Sequence, residues 1–312
     1  MSIKVLIAII SLLSQSLWLE TATISNSDKK TADTPTSAVN RSTTVVNSKA
    51  LRQAAKTNAK LRRKLIWEFA GTRQRGWSLY LPIISEMIGV SAPVNSPQFA
   101  AALASWQNHE GLSTTGILDK ETWQRMVEQL QSNRLKTRDY PPEHELVIAP
   151  AEEFFDPTRA QELRQVQVEA YQAYKRMVAA ALADKSIAAA IANSDNTEAK
   201  NYFKLISCWR SREYQEQLRQ QQGNPSRITL AKNSPHFTGR ALDIYVGGLP
   251  VSTENKNRAK QVASPAYHWL VRNAPRFGFR PYFYEPWHWE YVEGEGAGKP
   301  IDNVCPQTVD DK

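Results

Sequence analysis

The chain lacks the features that mark several large protein classes. Its 312 residues hold only two cysteines, no glycine-rich nucleotide-binding segment, no flavin or other organic-cofactor signature and no internal repeat. Beyond the N-terminal segment there is no apolar run long enough to cross a membrane. These absences exclude a nucleotide- or flavin-dependent enzyme, a repeat protein and a multi-span membrane protein.

Residues 1–23 have the pattern of a signal peptide. Lys4 precedes an apolar run from Val5 to Leu13, and polar sequence follows soon after. Small residues at Thr21 to Thr23 offer a cleavage region, and an uncleaved signal anchor is the alternative. We therefore expect an exported protein, located in the periplasm or cell envelope or secreted.

The positive charge of the chain lies near its N-terminus. The formal net charge is +8; residues 1–75 hold 13 Lys/Arg and 4 Asp/Glu, and the remainder holds 26 and 27. Residues 24–64 are predicted to form a disordered basic linker. Residues 24–50 are rich in Ser, Thr, Asn and Ala, and residues 52–64 add six Lys/Arg in a helix-prone context. Such a segment would adhere by charge to wall polymers or a membrane surface, or would simply be solvated. Nucleic acid is not an expected partner.

Two segments of the C-terminal half supply ligands for a divalent transition metal. Ser234-Pro-His-Phe-Thr-Gly-Arg-Ala-Leu-Asp243 contains His236 and Asp243, and Glu285-Pro-Trp-His-Trp-Glu290 contains His288. Two imidazoles and one carboxylate leave a tetrahedral zinc with one open position, as in catalytic sites. A water in that position ionises near neutrality, and Glu285 can take its proton. The set predicts a hydrolase with one Zn²⁺ ion, although other divalent ions suit these ligands.

Each histidine taken alone has a simpler explanation, since most histidines are partly buried and hydrogen-bonded rather than metal-bound. Here the two segments combine turn residues, ligand types and a spare carboxylate. Arg240 to Val246 and Trp287 to Val292 are predicted strands. Side-chain alternation lets His288 point inward while Glu285 lies just before its strand.

The same residues carry a family resemblance. His-x-x-Gly-x-Ala-x-Asp, from His236, followed by Glu-Pro-Trp-His-x-x-Tyr, from Glu285, resembles the VanY-type D-alanyl-D-alanine carboxypeptidases. These belong to a group of zinc peptidases that includes lysostaphin and the hedgehog signalling domain. The resemblance implies that His236, Asp243 and His288 bind zinc and that Glu285 is the catalytic base. Glu290 is a departure, because many relatives have Arg there.

The resemblance extends to Ser207-Cys-Trp-Arg-Ser211 and implies two substrate-binding residues. Arg210 would hold the free carboxylate of the substrate, for which a guanidinium fork is well suited, and Ser234 would line the site. The alternatives are a salt bridge at a strand end for Arg210 and a turn or capping role for Ser234.

The two cysteines, Cys208 and Cys305, are candidates for one disulfide in an oxidising compartment. A cysteine-containing metal site and two free buried thiols are the alternatives.

A helical module is predicted over residues 65–135. Ser96-Pro97 and Asp119 are helix starts, and Trp106 and Trp123 are predicted core residues. The pattern Trp106-Gln, Gly111-Leu, Gly116 and Thr122-Trp resembles the three-helix peptidoglycan-binding domain. A helical hairpin packed on the catalytic domain is the alternative.

The catalytic domain is predicted over residues 150–308. A long amphipathic helix opening at Phe155-Asp-Pro157, followed by mixed strands and helices, predicts an α+β fold with an antiparallel sheet flanked by helices. We expect a monomeric zinc D,D-carboxypeptidase acting on peptidoglycan stem peptides. A peptidoglycan endopeptidase and a non-catalytic wall-binding protein are the alternatives.

Overall fold

The computed structural model of the chain describes residues 47–193, 198–222 and 230–293. The predicted signal peptide, the first part of the predicted linker and Cys305 lie outside these residues. No helix in the described ranges is both long enough and apolar enough to cross a membrane.

The described residues form nine α-helices and eight short strands. The helices are α1 (Ser48–Lys64), α2 (Leu81–Met87), α3 (Pro97–His109), α4 (Lys120–Ser132), α5 (Val168–Leu182), α6 (Lys185–Ala192), α7 (Arg212–Gln221), α8 (Asn255–Ala263) and α9 (Pro265–Asn273). The strands are β1 (Ile66–Phe69), β2 (Thr72–Arg75), β3 (Leu146–Ile148), β4 (Gln165–Gln167), β5 (Leu205–Ser207), β6 (Ala241–Ile244), β7 (Phe279–Pro281) and β8 (His288–Tyr291).

The strands pair antiparallel in three sheets. Two are the pairs β1-β2 and β3-β4, and the third has the order β5-β6-β8-β7. The described residues combine helices with antiparallel sheets, so the predicted α+β class is confirmed. The β1-β2 hairpin is an addition to the helical module that the sequence pattern did not indicate.

Helix α1 corrects the predicted disordered linker over residues 48–64. Ala54 and Ala55 are buried against α3. The side chain of Asn58 is fully buried, and its Nδ2 donates to the Gly116 carbonyl over 2.8 Å. Its Oδ1 accepts from the backbone N–H two residues further along that loop. The buried face of α1 consists of Ala and Asn. It lacks the large apolar residues from which a packed helix is usually predicted.

Helices α3 and α4 begin where predicted. The Ser96 hydroxyl caps α3, with Pro97 as its first residue, and Asp119 caps α4. Trp106 and Trp123 are both buried, which confirms that they are core residues.

The helix predicted to open at Phe155-Asp-Pro157 begins instead at Val168. The preceding residues form 3₁₀ turns and strand β4, and Asp156 closes a local turn rather than capping a helix. Val166, which lies within the predicted helix, is buried on β4 opposite Val147 of β3. Apolar residues at helical spacing do not reveal that a neighbouring strand pairs with the segment.

The strands of the four-stranded sheet are shorter than predicted, but their register aligns the site. Ser207 on β5 lies opposite Asp243 on β6, and Asp243 lies opposite His288 on β8. Directly opposed residues project to the same face of a sheet. One row across three strands therefore carries these three side chains.

The helical module and the catalytic sheet share one hydrophobic core. The ring of Trp67 on β1 packs edge-on against Trp123 of α4 at 5.3 Å. Phe283, in the loop between β7 and β8, lies 5.3 Å from the Tyr80 ring. The module therefore packs directly against the loop that carries Glu285.

Candidate active site

A short 3₁₀ turn, Pro235–Thr238, brings His236 to the start of β6. The Ser234 hydroxyl caps the turn by accepting from the His236 N–H over 3.3 Å. Gly239 ends the turn with φ +68°, and a Cβ there would lie 2.9 Å from the backbone nitrogen of Gln167. The glycine of the motif thus allows a positive φ and the close approach of β4.

His236, Asp243 and His288 come together as a buried group. Among the described residues, their ligating atoms all lie within 4.8 Å of one another. Asp243 Oδ1 lies 3.3 Å from His236 Nε2 and 3.0 Å from His288 Nδ1. Two imidazole nitrogens and one carboxylate oxygen at this spacing fit a single tetrahedral divalent ion.

Hydrogen bonds on the outer side of each ring orient the two imidazoles. His236 Nδ1 lies 2.6 Å from the Cys208 carbonyl oxygen, which can only accept, so this nitrogen carries the proton and Nε2 faces inward with its lone pair. His288 Nε2 lies 3.1 Å from Glu290 Oε1 and donates to it, which leaves Nδ1 facing Asp243. His236 therefore presents an unprotonated nitrogen to the centre of the group, and a metal ion at His288 Nδ1 would take the place of the proton that this nitrogen shares with Asp243.

Burial and neighbouring charges perturb the pKa values of the group. Burial, together with the charge of Arg210, lowers the pKa of His236 to about 4. Burial raises the pKa of Glu285 to about 8. Burial disfavours the charged form of Asp243, yet its histidine partners and Arg210 hold its pKa well below the usual range. Burial also opposes charging of His288, but hydrogen bonds to two carboxylates raise its pKa to about 9. Opposite shifts within one cleft are typical of functional sites.

Glu285 lies in a tight turn that ends at His288. The Glu285 N–H donates to the Tyr282 carbonyl over 3.0 Å, and the His288 N–H donates to the Glu285 carbonyl over 2.9 Å. The Glu285 side chain is only 7% exposed and lines the same cleft as His236 and Asp243. The turn therefore carries a carboxylate and a metal-ligand candidate into one space.

Arg210 lines the cleft, but its guanidinium already has protein partners. Its Nη2 donates to Asp243 Oδ2 over 2.6 Å, its Nε to Ser207 Oγ over 2.9 Å and its Nη1 to Gln215 Oε1 over 3.3 Å. The salt bridge considered as the alternative for this residue is thus present. A substrate carboxylate at Arg210 would have to share or replace one of these contacts.

One buried ion pair was missed by the sequence analysis. Arg134, just after α4, donates to Glu290 Oε1 from Nε over 3.0 Å and from Nη2 over 2.5 Å. The Leu135 N–H donates to Glu290 Oε2 over 2.9 Å. The partners are 156 residues apart, so no local pattern connects them.

Cys208 is fully buried and has no disulfide partner among the described residues. Burial raises the pKa of its thiol, and the thiol is not a member of the His236 group. The pairing with Cys305 stays a prediction, because Cys305 lies outside the described residues.

Two family models match the chain. Residues 163–294 match VanY, described as D-alanyl-D-alanine carboxypeptidase, and residues 91–126 match a putative peptidoglycan binding domain. The first match contains every residue of the candidate site except Arg134, and the second contains α3 and the start of α4. No curated protein matches the chain.

Proposed function

We propose that this chain is a zinc-dependent D,D-carboxypeptidase. Its reaction would be removal of the terminal D-alanine from peptidoglycan stem peptides. The proposal is supported by the match of residues 163–294 to the VanY model and of residues 91–126 to a peptidoglycan-binding model. The observation that carries the proposal is the buried group of His236, Asp243 and His288, with Glu285 in the same cleft.

The roles of the side chains follow from their surroundings. A divalent ion held by the three ligands would supply Lewis-acid polarisation of the attacking water and of the scissile carbonyl. Glu285 takes the proton from that water and delivers it to the amine of the departing D-alanine. His236 and His288 are fixed in orientation, because each donates from its outer nitrogen to a protein oxygen. A bound ion would replace the proton on His288 Nδ1.

An envelope or extracellular location agrees with both domains, since each is of a type that acts on or binds the cell wall. Export through residues 1–23 is part of the same proposal. Peptidoglycan is accordingly the proposed partner, and a muropeptide the proposed substrate.

A peptidoglycan endopeptidase is the second candidate, and the surroundings of Arg210 favour it. A carboxypeptidase needs a cation that recognises the free terminal carboxylate, whereas the guanidinium of Arg210 already binds Asp243, Ser207 and Gln215. An endopeptidase has no such requirement.

A panel of purified muropeptides tests the choice. We expect mass spectrometry to show loss of a single alanine from pentapeptide stems and no change in tetrapeptide stems. Cleavage within the stem, or of cross-linked dimers, would favour the endopeptidase. Binding to the wall without any product would favour a non-catalytic protein.

A further inference from the structure

Glu290 is a fully buried carboxylate on the same face of β8 as His288. It accepts four hydrogen bonds: one from His288 Nε2, two from the Arg134 guanidinium and one from the Leu135 N–H. Three of these four donors thus come from Arg134 and Leu135, the second and third residues after α4, the last helix of the module.

Arg134 is itself held in place beside the site. Its guanidinium lies 4.0 Å from the centre of the Tyr282 ring, and that ring lies 5.8 Å from the imidazole of His288. Its Nη1 donates to Gln131 Oε1 over 3.4 Å. Arg134 also lines the cleft that contains the candidate ligands. The module therefore contributes a side chain to the wall of the active site.

A carboxylate behind a ligating histidine fixes the ring and raises the basicity of the inward nitrogen. An isolated carboxylate at this depth would be strongly disfavoured, because the desolvation of a buried charge is costly unless the charge is paired and hydrogen-bonded. Arg134 provides that pairing for Glu290. Glu290 can therefore stay charged and accept the hydrogen bond from His288 only while Arg134 is paired with it.

We propose that Glu290 and Arg134 are positioning residues for His288, so that the module completes the metal site as well as binding the wall. The inference rests on the proposed function, in which His288 is a zinc ligand. It predicts that metal affinity depends on a residue outside the catalytic domain.

The test compares the zinc affinity of full-length variants, measured by competition with a chromophoric chelator. We expect Glu290→Gln and Arg134→Gln each to weaken zinc binding by about 10- to 100-fold. The double variant should lose little more zinc affinity than the weaker-binding single variant, because both substitutions disrupt the same hydrogen-bonded group. The Co²⁺ absorption spectrum should shift in both single variants, which a general loss of stability would not cause.

Control variants remove one positive or one negative charge from exposed positions on the module. Arg125→Gln and Glu128→Gln, both exposed on α4, should leave zinc affinity and the Co²⁺ spectrum unchanged. Arg134→Lys keeps the charge but loses one of the two hydrogen bonds to Glu290. Its zinc affinity should therefore lie between those of the wild type and Arg134→Gln. This variant also allows the test if Arg134→Gln fails to fold.

The failures of the two proposals differ. A wild-type protein that binds zinc and releases alanine, with position 134 and 290 variants of unchanged affinity and spectrum, would overturn the inference alone. A wild-type protein that binds no zinc would overturn the proposed function and this inference with it.

Discussion

Arg210 Nη2 lies 2.6 Å from Asp243 Oδ2, while the other oxygen of Asp243 faces both histidines of the site. The two oxygens of one carboxylate therefore have separate partners. This arrangement fixes the side chain of Asp243 with Oδ1 directed toward His236 and His288. It gives Arg210 an orienting contact, which is the salt bridge that the sequence left as the alternative to a substrate contact.

Substitution of Arg210 separates these two roles. Arg210→Lys removes the fork that bonds Asp243 and Ser207 together, so we expect weaker zinc binding and a lower kcat/KM on every substrate. The measurement compares a pentapeptide that has a free terminal carboxylate with its C-terminal amide. A loss confined to the free acid, with unchanged zinc affinity, would instead identify Arg210 as a carboxylate-binding residue. Arg272→Lys, exposed on α9, is the control.

Substitution of Glu285 tests the proposed base. Glu285→Gln keeps the size of the side chain but cannot accept a proton, so we expect kcat to fall by about 10²- to 10⁴-fold. Zinc content should remain at the wild-type level, because Glu285 is not one of the three proposed ligands. Glu254→Gln, at an exposed position before α8, should behave as wild type. Near-normal turnover by Glu285→Gln would remove Glu285 from the mechanism.

Helix α1 should be a folded part of the module. Asn58→Ala leaves the Gly116 carbonyl and the Leu118 N–H without their buried partner, at a cost of about 1–3 kcal/mol in the free energy of unfolding. Chemical denaturation measures the change. Asn108→Ala, exposed on α3, should have little effect by comparison. Equal stabilities of the two variants would restore the interpretation of residues 48–64 as a linker.

The predicted adhesion of the basic segment can be tested on α1, which contains no acidic residue. Five of its exposed cations recur every three or four residues and so form one stripe: Lys49, Arg52, Lys56, Lys60 and Arg63. Replacing Lys56, Lys60 and Arg63 by Gln should reduce co-sedimentation with anionic wall polymers at low salt, and added salt should remove the difference.

The control for that experiment removes the same charge from the catalytic domain. Replacing the exposed Lys175, Arg176 and Lys185 by Gln should leave co-sedimentation unchanged. Equal losses from both triple variants would show that net charge, rather than the α1 stripe, governs adhesion.

The features that could be predicted from the sequence depend on residues that are close together in the chain. The grouping of His236, Asp243 and His288 follows from two short segments with alternating strand geometry. The starts of α3 and α4 follow from capping side chains at Ser96 and Asp119.

The features that were not predictable depend on distant contacts. Helix α1 buries Ala54, Ala55 and Asn58, which are small or polar and give no hydrophobic periodicity. The start of α5 is delayed because β4 pairs with β3. Glu290 could be noticed as an unusual residue, but its partner Arg134 is known only once the chain has folded.

Metal dependence of alanine release is the most direct test of the proposed function. The full chain is incubated with pentapeptide muropeptides in three states: untreated, after chelation, and after Zn²⁺ has been restored. The masses of the products are measured by mass spectrometry. We predict loss of a single alanine that stops on chelation and returns with zinc. Alanine release that persists in the chelated protein would contradict the roles given to His236, Asp243 and His288.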